Sequence, residues 1–149
     1  MSDLSDLVRP EAILTGVAAA GKKAALTLIA GAAAPLIGVE ARVVAERLLA
    51  REKLGSTGFG DGVAIPHARL AGLSEISGVV VRLAQPIDFG AVDDVPVDLL
   101  FALFSPEGGA EHLKALARVS RRLRDRPFLA KLRGAGSRDA LYALLTDGA

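Results

Sequence analysis

The stretch that most restricts this chain runs from Arg51 to Leu70, REKLGSTGFGDGVAIPHARL, where four glycines lead into a short apolar segment and a histidine behind a proline. Glycine reaches positive φ without a Cβ penalty, so Gly55, Gly58, Gly60 and Gly62 read as tight turns and close backbone approach rather than as helix. Val63, Ala64 and Ile65 predict a short strand, and Pro66 closes it, because proline has no N–H for a ladder and fixes its own φ. His67 is thereby placed at a strand end, where Ser56, Thr57 and the local N–H groups can converge on a small anion. The spacing is not a dinucleotide fingerprint, since Gly58-x-Gly60-x-Gly62 lacks the GxGxxG register, and no GxxxxGK[ST] run occurs. On spacing alone, a glycine-rich hairpin with a surface histidine fits these residues equally well.

The chain holds two histidines, His67 and His112, and imidazole is the side chain whose unperturbed pKa makes it a neutral nucleophile near pH 7. His112, at the start of a predicted helix, reads by itself as a cap or surface residue, and Arg51 as a solvated charge. Cysteine is absent, which excludes disulfides and thiolate chemistry. A competing reading from another class is a metal-dependent hydrolase using His67, His112 and one of Asp61, Asp93 or Asp94, although the histidines show no HExxH spacing.

The order of elements is that of an α/β protein. Pro10 to Val17 reads as extended, and Lys22 to Ala33 as an Ala- and Leu-rich helix stopped by Pro35. Val39, Val43, Val44, Leu48 and Leu49 make an amphipathic helix that ends near Lys53 and Gly55. Gly78–Leu83 and Val97–Phe104 are apolar runs of buried-strand type, closed by Gln85-Pro86 and Ser105-Pro106. Helices are expected over Glu111–Arg124, Pro127–Arg133 and Arg138–Thr146. No repeat or linker divides the 149 residues, so one domain is expected over 1–149, a mixed parallel and antiparallel sheet flanked by helices.

Composition limits the setting. Half the chain is hydrophobic (51%) yet no stretch is apolar for long enough to span a bilayer, and the mixed, acidic N-terminal segment MSDLSDLVRPEAIL carries no leader pattern, so a cytoplasmic protein without membrane insertion is expected. The net charge of +1 hides an asymmetry: six acidic residues against two basic ones from Ser56 to Phe104, then nine basic against one acidic from His112 to Arg138. The basic run lies on predicted helices without interleaved aromatics, beside an acidic middle that repels a phosphate backbone, so nucleic acid is not an expected partner.

The string Gly58-Phe59-Gly60-Asp61-Gly62-Val63-Ala64-Ile65-Pro66-His67-Ala68 resembles the phosphorylation-site signature of the mannitol/fructose-type IIA components of the bacterial phosphotransferase system. The resemblance extends to Lys22–Leu26, Arg51–Lys53, Pro96–Leu103 and His112-Leu113, covering nearly the whole chain, and the wording REKLGSTGFG is most similar to the nitrogen-regulatory branch, IIA-Ntr. Two departures are Ala68, where glycine is commoner, and the short tail after the last helix.

The resemblance implies a type-2 IIA fold and a phosphoryl carrier needing neither cofactor nor metal. His67 is the implied nucleophile through Nε2, with its Nδ1–H donating to a backbone carbonyl; His112 and Arg51 match the supporting histidine and arginine, and Thr57 and the Gly58 N–H are implied extra donors. An arginine fork and an imidazole donor suit a phosphoryl group carrying roughly two negative charges. The implied donor is HPr or its nitrogen-branch homologue NPr, and the implied output is regulation of target proteins such as sensor kinases or potassium transporters. A sugar-specific IIA component handing its phosphoryl group to a IIB domain is the alternative within the family.

Overall fold

In the computed structural model, which describes residues 4–146, the chain runs β1 (Val8–Val17), α1 (Lys22–Ile37), α2 (Ala41–Lys53), β2 (Gly58–Gly60), β3 (Val63–Ala64), β4 (His67–Leu70), β5 (Ser77–Ile87), β6 (Val97–Pro106), α3 (Glu111–Leu123), α4 (Arg126–Gly134) and α5 (Arg138–Thr146). The two apolar runs form the centre of one six-stranded mixed sheet of order β1-β5-β6-β3-β2, with β4 also paired to β6. β1 is parallel to β5, β5 antiparallel to β6, and β3 and β4 both parallel to β6.

Alternate residues of a strand point to opposite faces, and both faces of β6 are covered. Leu100, Ala102 and Phe104 pack with Leu26, Ile29, Val44 and Leu48 of α1 and α2. Leu99, Phe101 and Leu103 pack with Val119, Leu123, Leu129, Leu132 and Leu141 of α3, α4 and α5. This two-sided burial is why the central strands are near-continuous hydrophobic runs. The protein is therefore an α/β sandwich of three layers, as the order of elements predicts.

The glycine-rich segment is a hairpin whose two-residue turn is Asp61-Gly62, with φ of 57° and 78°. Positive φ at both central positions is the hairpin turn that matches strand twist, and Asp-Gly is among its preferred sequences. β3 and β4 then pair with β6 in one unbroken register, Val63 opposite Leu99, Ala64 opposite Leu100 and His67 opposite Leu103. Between them the Pro66 carbonyl accepts from Leu103 N–H at 2.9 Å, and Ile65 N–H donates to the Thr57 carbonyl at 3.1 Å. Pro66 thus interrupts a strand line without ending it, and His67 opens β4 at the rim of the sheet, where only β6 flanks it.

Prolines elsewhere also stop less than expected. α1 continues through Pro35 to Ile37, the one hydrogen bond lost at Pro35 being offset by the packing of Leu36 and Ile37 against the core; Gly38, at φ 71°, then caps it with its N–H on the Ala34 carbonyl. β5 runs past Gln85-Pro86 to Ile87, with Pro86 inside a register shift between Arg82 and Ile87, a place where a missing donor is tolerated. β6 keeps Ser105 and Pro106, paired with Arg69 and Leu70. Val39 precedes α2 instead of joining it, and β1 begins at Val8, ahead of Pro10.

The charge asymmetry is partly consumed inside the molecule. Arg126 pairs with Asp61 at 3.3 Å and Arg133 with Asp98 at 3.0 Å, which ties the basic C-terminal helices to the acidic middle. Among the described residues no helix is long and apolar enough to cross a membrane.

Candidate functional site

Two consecutive residues in the last turn of α2 point in opposite directions and build two sides of the site. Arg51 faces outward: its Nη1 donates to the Gly55 carbonyl at 3.0 Å and its Nε donates to Nε2 of His67 at 3.1 Å. Glu52 faces inward and is 8% exposed; its carboxylate meets Lys22 Nζ at 3.0 Å and accepts the Thr57 N–H at 3.2 Å and the Thr57 hydroxyl. Lys22 also lies over the Phe89 ring, 4.7 Å from its centroid. The inward cluster fastens the start of α1, the end of α2 and the glycine loop to one another.

His67 is held by both nitrogens. Nδ1 lies 2.8 Å from the Ile65 carbonyl, which can only accept, so the proton resides on Nδ1. Nε2 is consequently a lone pair, and the Arg51 N–H points at it. Ile65 can offer that carbonyl because its N–H faces Thr57 and the β6 ladder is continued by Pro66. Burial, the largest influence, holds the His67 pKa below the usual imidazole value; the Arg51 charge acts in the same direction, while the Ile65 carbonyl and Glu52 act against it. The ring is neutral at pH 7.

His112 stands in the first turn of α3, buried, with its ring 5.3 Å from that of His67, centroid to centroid, at 54°. Its Nδ1 is 2.6 Å from Oγ of Ser105 on β6. Burial, then the neighbouring His67 and Arg69, pushes its pKa down to about 4. A pocket of about 350 Å³ opens over these groups, lined by Arg47, Ala50, Arg51, Leu54, His67, Ala68, Arg69 and His112. Three arginines line it, and although Arg47 also meets Glu107 at 3.5 Å, the lining is basic and suits an anion.

His67, His112 and Arg51 are thus brought together as a cluster. Thr57 and Gly58 are not part of it: both Thr57 donors go to Glu52, the Gly58 N–H goes to Ser56 Oγ at 3.1 Å, and Ser56 Oγ donates to the Phe89 carbonyl. These donors brace the loop from inside instead of converging on an anion. The carboxylates of the hydrolase reading lie apart as well: Asp61 pairs with Arg126, Asp93 accepts the Asp61 N–H, and among the described residues no three metal-binding side chains gather. Arg47 and Arg69 also reach the pocket, and their spacing carries a sequence signal for it. Arg47 is one helical turn before Arg51, and Arg69 shares the strand face of His67.

Comparison with known proteins finds relatives over nearly the whole chain. Residues 6–148 match the family described as phosphoenolpyruvate-dependent sugar phosphotransferase system, EIIA 2. A nitrogen regulatory protein of Bradyrhizobium diazoefficiens is 52% identical over 143 residues, 95% of this chain and 94% of the relative. A nitrogen regulatory protein of Escherichia coli is 42% identical over 146 residues, covering 97% and 90%. Among solved structures, the nitrogen regulatory protein IIA-Ntr of Neisseria meningitidis superposes with a TM-score of 0.91 at 33% identity, over 96% of this chain and 99% of that one.

Proposed function

The chain belongs to the EIIA type-2 family of the phosphoenolpyruvate-dependent sugar phosphotransferase system, and on that premise we propose that it is a nitrogen-branch phosphohistidine carrier, phosphorylated on Nε2 of His67. The observation that carries the reading is the pair of opposed hydrogen bonds on His67, a carbonyl on Nδ1 and an N–H donor on Nε2. Together they leave a neutral ring with its lone pair in an arginine-lined pocket.

In this mechanism the Nε2 lone pair forms a bond to phosphorus as the P–N bond of a donor phosphohistidine breaks, in line and through a loose transition state. Arg51 leaves Nε2 and donates to the phosphoryl oxygens, a charge-assisted contact that grows with the charge it meets. The His67 ring gains positive character as the bond forms, and the Ile65 carbonyl on Nδ1–H stabilises it. His112 supplies a further donor, and Arg69 adds positive potential, with Arg47 partly offset by Glu107. Thr57 and Gly58 assist indirectly, by keeping the glycine loop in place. No step requires a cofactor. The donor is HPr or NPr, the protein works in the cytoplasm, and its output is binding of regulatory targets according to phosphorylation state.

The test is incubation with phosphoenolpyruvate, enzyme I and either donor protein. One phosphoryl group should appear, lost in acid and kept in base as a phosphoramidate is, and His67→Ala should accept none. Labelling of His67→Ala at the wild-type level would sink the assignment.

A further inference from the structure

The two imidazoles of the pocket meet opposite chemistry on their buried sides. Nδ1 of His67 faces a carbonyl, which can only accept, whereas Nδ1 of His112 faces a hydroxyl 2.6 Å away. Ser105 is 1% exposed within β6, and among the described residues His112 Nδ1 is the only hydrogen-bond partner of its Oγ. A buried hydroxyl that accepted from Nδ1–H would leave its own O–H unmade, which is costly, while one that donates to Nδ1 satisfies both groups. The neutral ring carries one N–H. With Nδ1 accepting from Ser105, that hydrogen resides on Nε2, for which no described protein group is a partner. The opposite arrangement would turn a lone pair toward phosphoryl oxygens.

We propose that Ser105 is a positioning residue for phosphoryl transfer: its hydroxyl donates to Nδ1 of His112, fixing the ring and leaving Nε2–H to donate to the phosphoryl group on His67. The proposal rests on the carrier reading. Ile65 and Ser105 then impose opposite tautomers on neighbouring rings, one a lone-pair nucleophile and the other an N–H donor. The low His112 pKa agrees, because a ring that stays neutral needs its single hydrogen on the correct nitrogen.

The experiment is nitrogen NMR of protein labelled with ¹⁵N-histidine at pH 7.5, unphosphorylated, alongside transfer rates from a phosphorylated donor protein. Wild-type His112 should show an unprotonated Nδ1 and a protonated Nε2, and His67 the reverse. Ser105→Ala should shift the His112 Nδ1 resonance toward its unbonded position and slow transfer about fivefold, the size expected for one neutral hydrogen bond. Ser105→Thr should restore both. A protonated His112 Nδ1 in the wild type, or wild-type resonances and rate in Ser105→Ala, overturns the proposal; should the variants not fold, the wild-type tautomer decides alone. Failure of the wild type to take any phosphoryl group overturns the carrier reading and the role of Ser105 in transfer with it, whereas a normally labelled wild type with the wrong His112 tautomer overturns only the serine.

Discussion

Arg51 donates from Nε to Nε2 of His67 at 3.1 Å, so the group suited to receive the charge of a phosphoryl product occupies the lone pair that would form the new bond. Bond to phosphorus and bond to arginine are mutually exclusive at that nitrogen. On the proposed carrier reading, each transfer would therefore include a displacement of the guanidinium from the ring onto the incoming oxygens.

Arg51→Ala should slow phosphoryl acceptance by the equivalent of about 2–4 kcal/mol, the cost of removing one charge-stabilising donor. Its fold should persist, because the lost contacts are the His67 ring and the Gly55 carbonyl at the surface. Single-turnover rates and a melting curve on the same sample separate the two effects. A wild-type rate would refute the role. His112→Ala should lower both rate and melting temperature, since it empties a buried site and strands Ser105.

Acid should act on both histidines in the same direction. Their folded pKa values lie below the unfolded value of about 6.5, so below that pH the unfolded chain binds more protons and stability falls. The contribution of His112 is fully present above about pH 6.5 and lost as the pH falls to its folded value of about 4, by about 3 kcal/mol at most. Urea unfolding at pH 7.5 and pH 4.5 measures it. The rate of phosphoryl acceptance should stay level above pH 6.5 and decline below it as His67 protonates.

Glu52→Ala should destabilise by about 3 kcal/mol, because it leaves Lys22 and two Thr57 donors without their common partner. Lys22 retains some access to solvent, which keeps the loss near the lower end of the range for broken buried pairs. Urea midpoints of Glu52→Ala and Lys22→Ala would show it, with the glutamate variant the weaker protein. Equal stability to wild type would mean that the inward cluster does not brace the loop.

Phosphorylation adds about two negative charges to a pocket lined by arginines and should change which proteins the surrounding face retains. Capture of partners on phosphorylated and unphosphorylated protein should give different sets, and salt should weaken the electrostatic part of the binding. If neither form retains a regulatory target, yet the phosphorylated form passes its group efficiently to a sugar-specific IIB domain, the regulatory reading fails and sugar transfer takes its place.

Much of this was legible because it is written locally. GVVVRL and VDLLFALF read as buried strands from their own residues, and Asp61-Gly62 lies in a run whose glycines announce turns. Proline reads locally as a terminator, and tertiary packing overrides it: Leu36 and Ile37 carry α1 past Pro35, and the β6 ladder carries the strand line past Pro66. The cluster of His67, His112 and Arg51 came from resemblance, since nothing local to positions 51 and 112 shows that they meet. The role of Glu52 is illegible locally for the converse reason. A charged residue beside Arg51 reads as solvated, and only the fold reveals Lys22 and Thr57 waiting for it.

The shared register of β3 and β4 against β6 makes the distance along the chain from Val63 to His67 a gauge that tolerates no insertion or deletion. Adding or removing one residue at Pro66 would rotate everything downstream by half a pleat, sending the imidazole to the face that Ala68 and Leu70 now fill and bringing a hydrocarbon to the pocket. Length variation among descendants of this chain should accordingly collect in the loops joining the strands to the flanking helices, while the short apolar bridge before the histidine keeps a constant count.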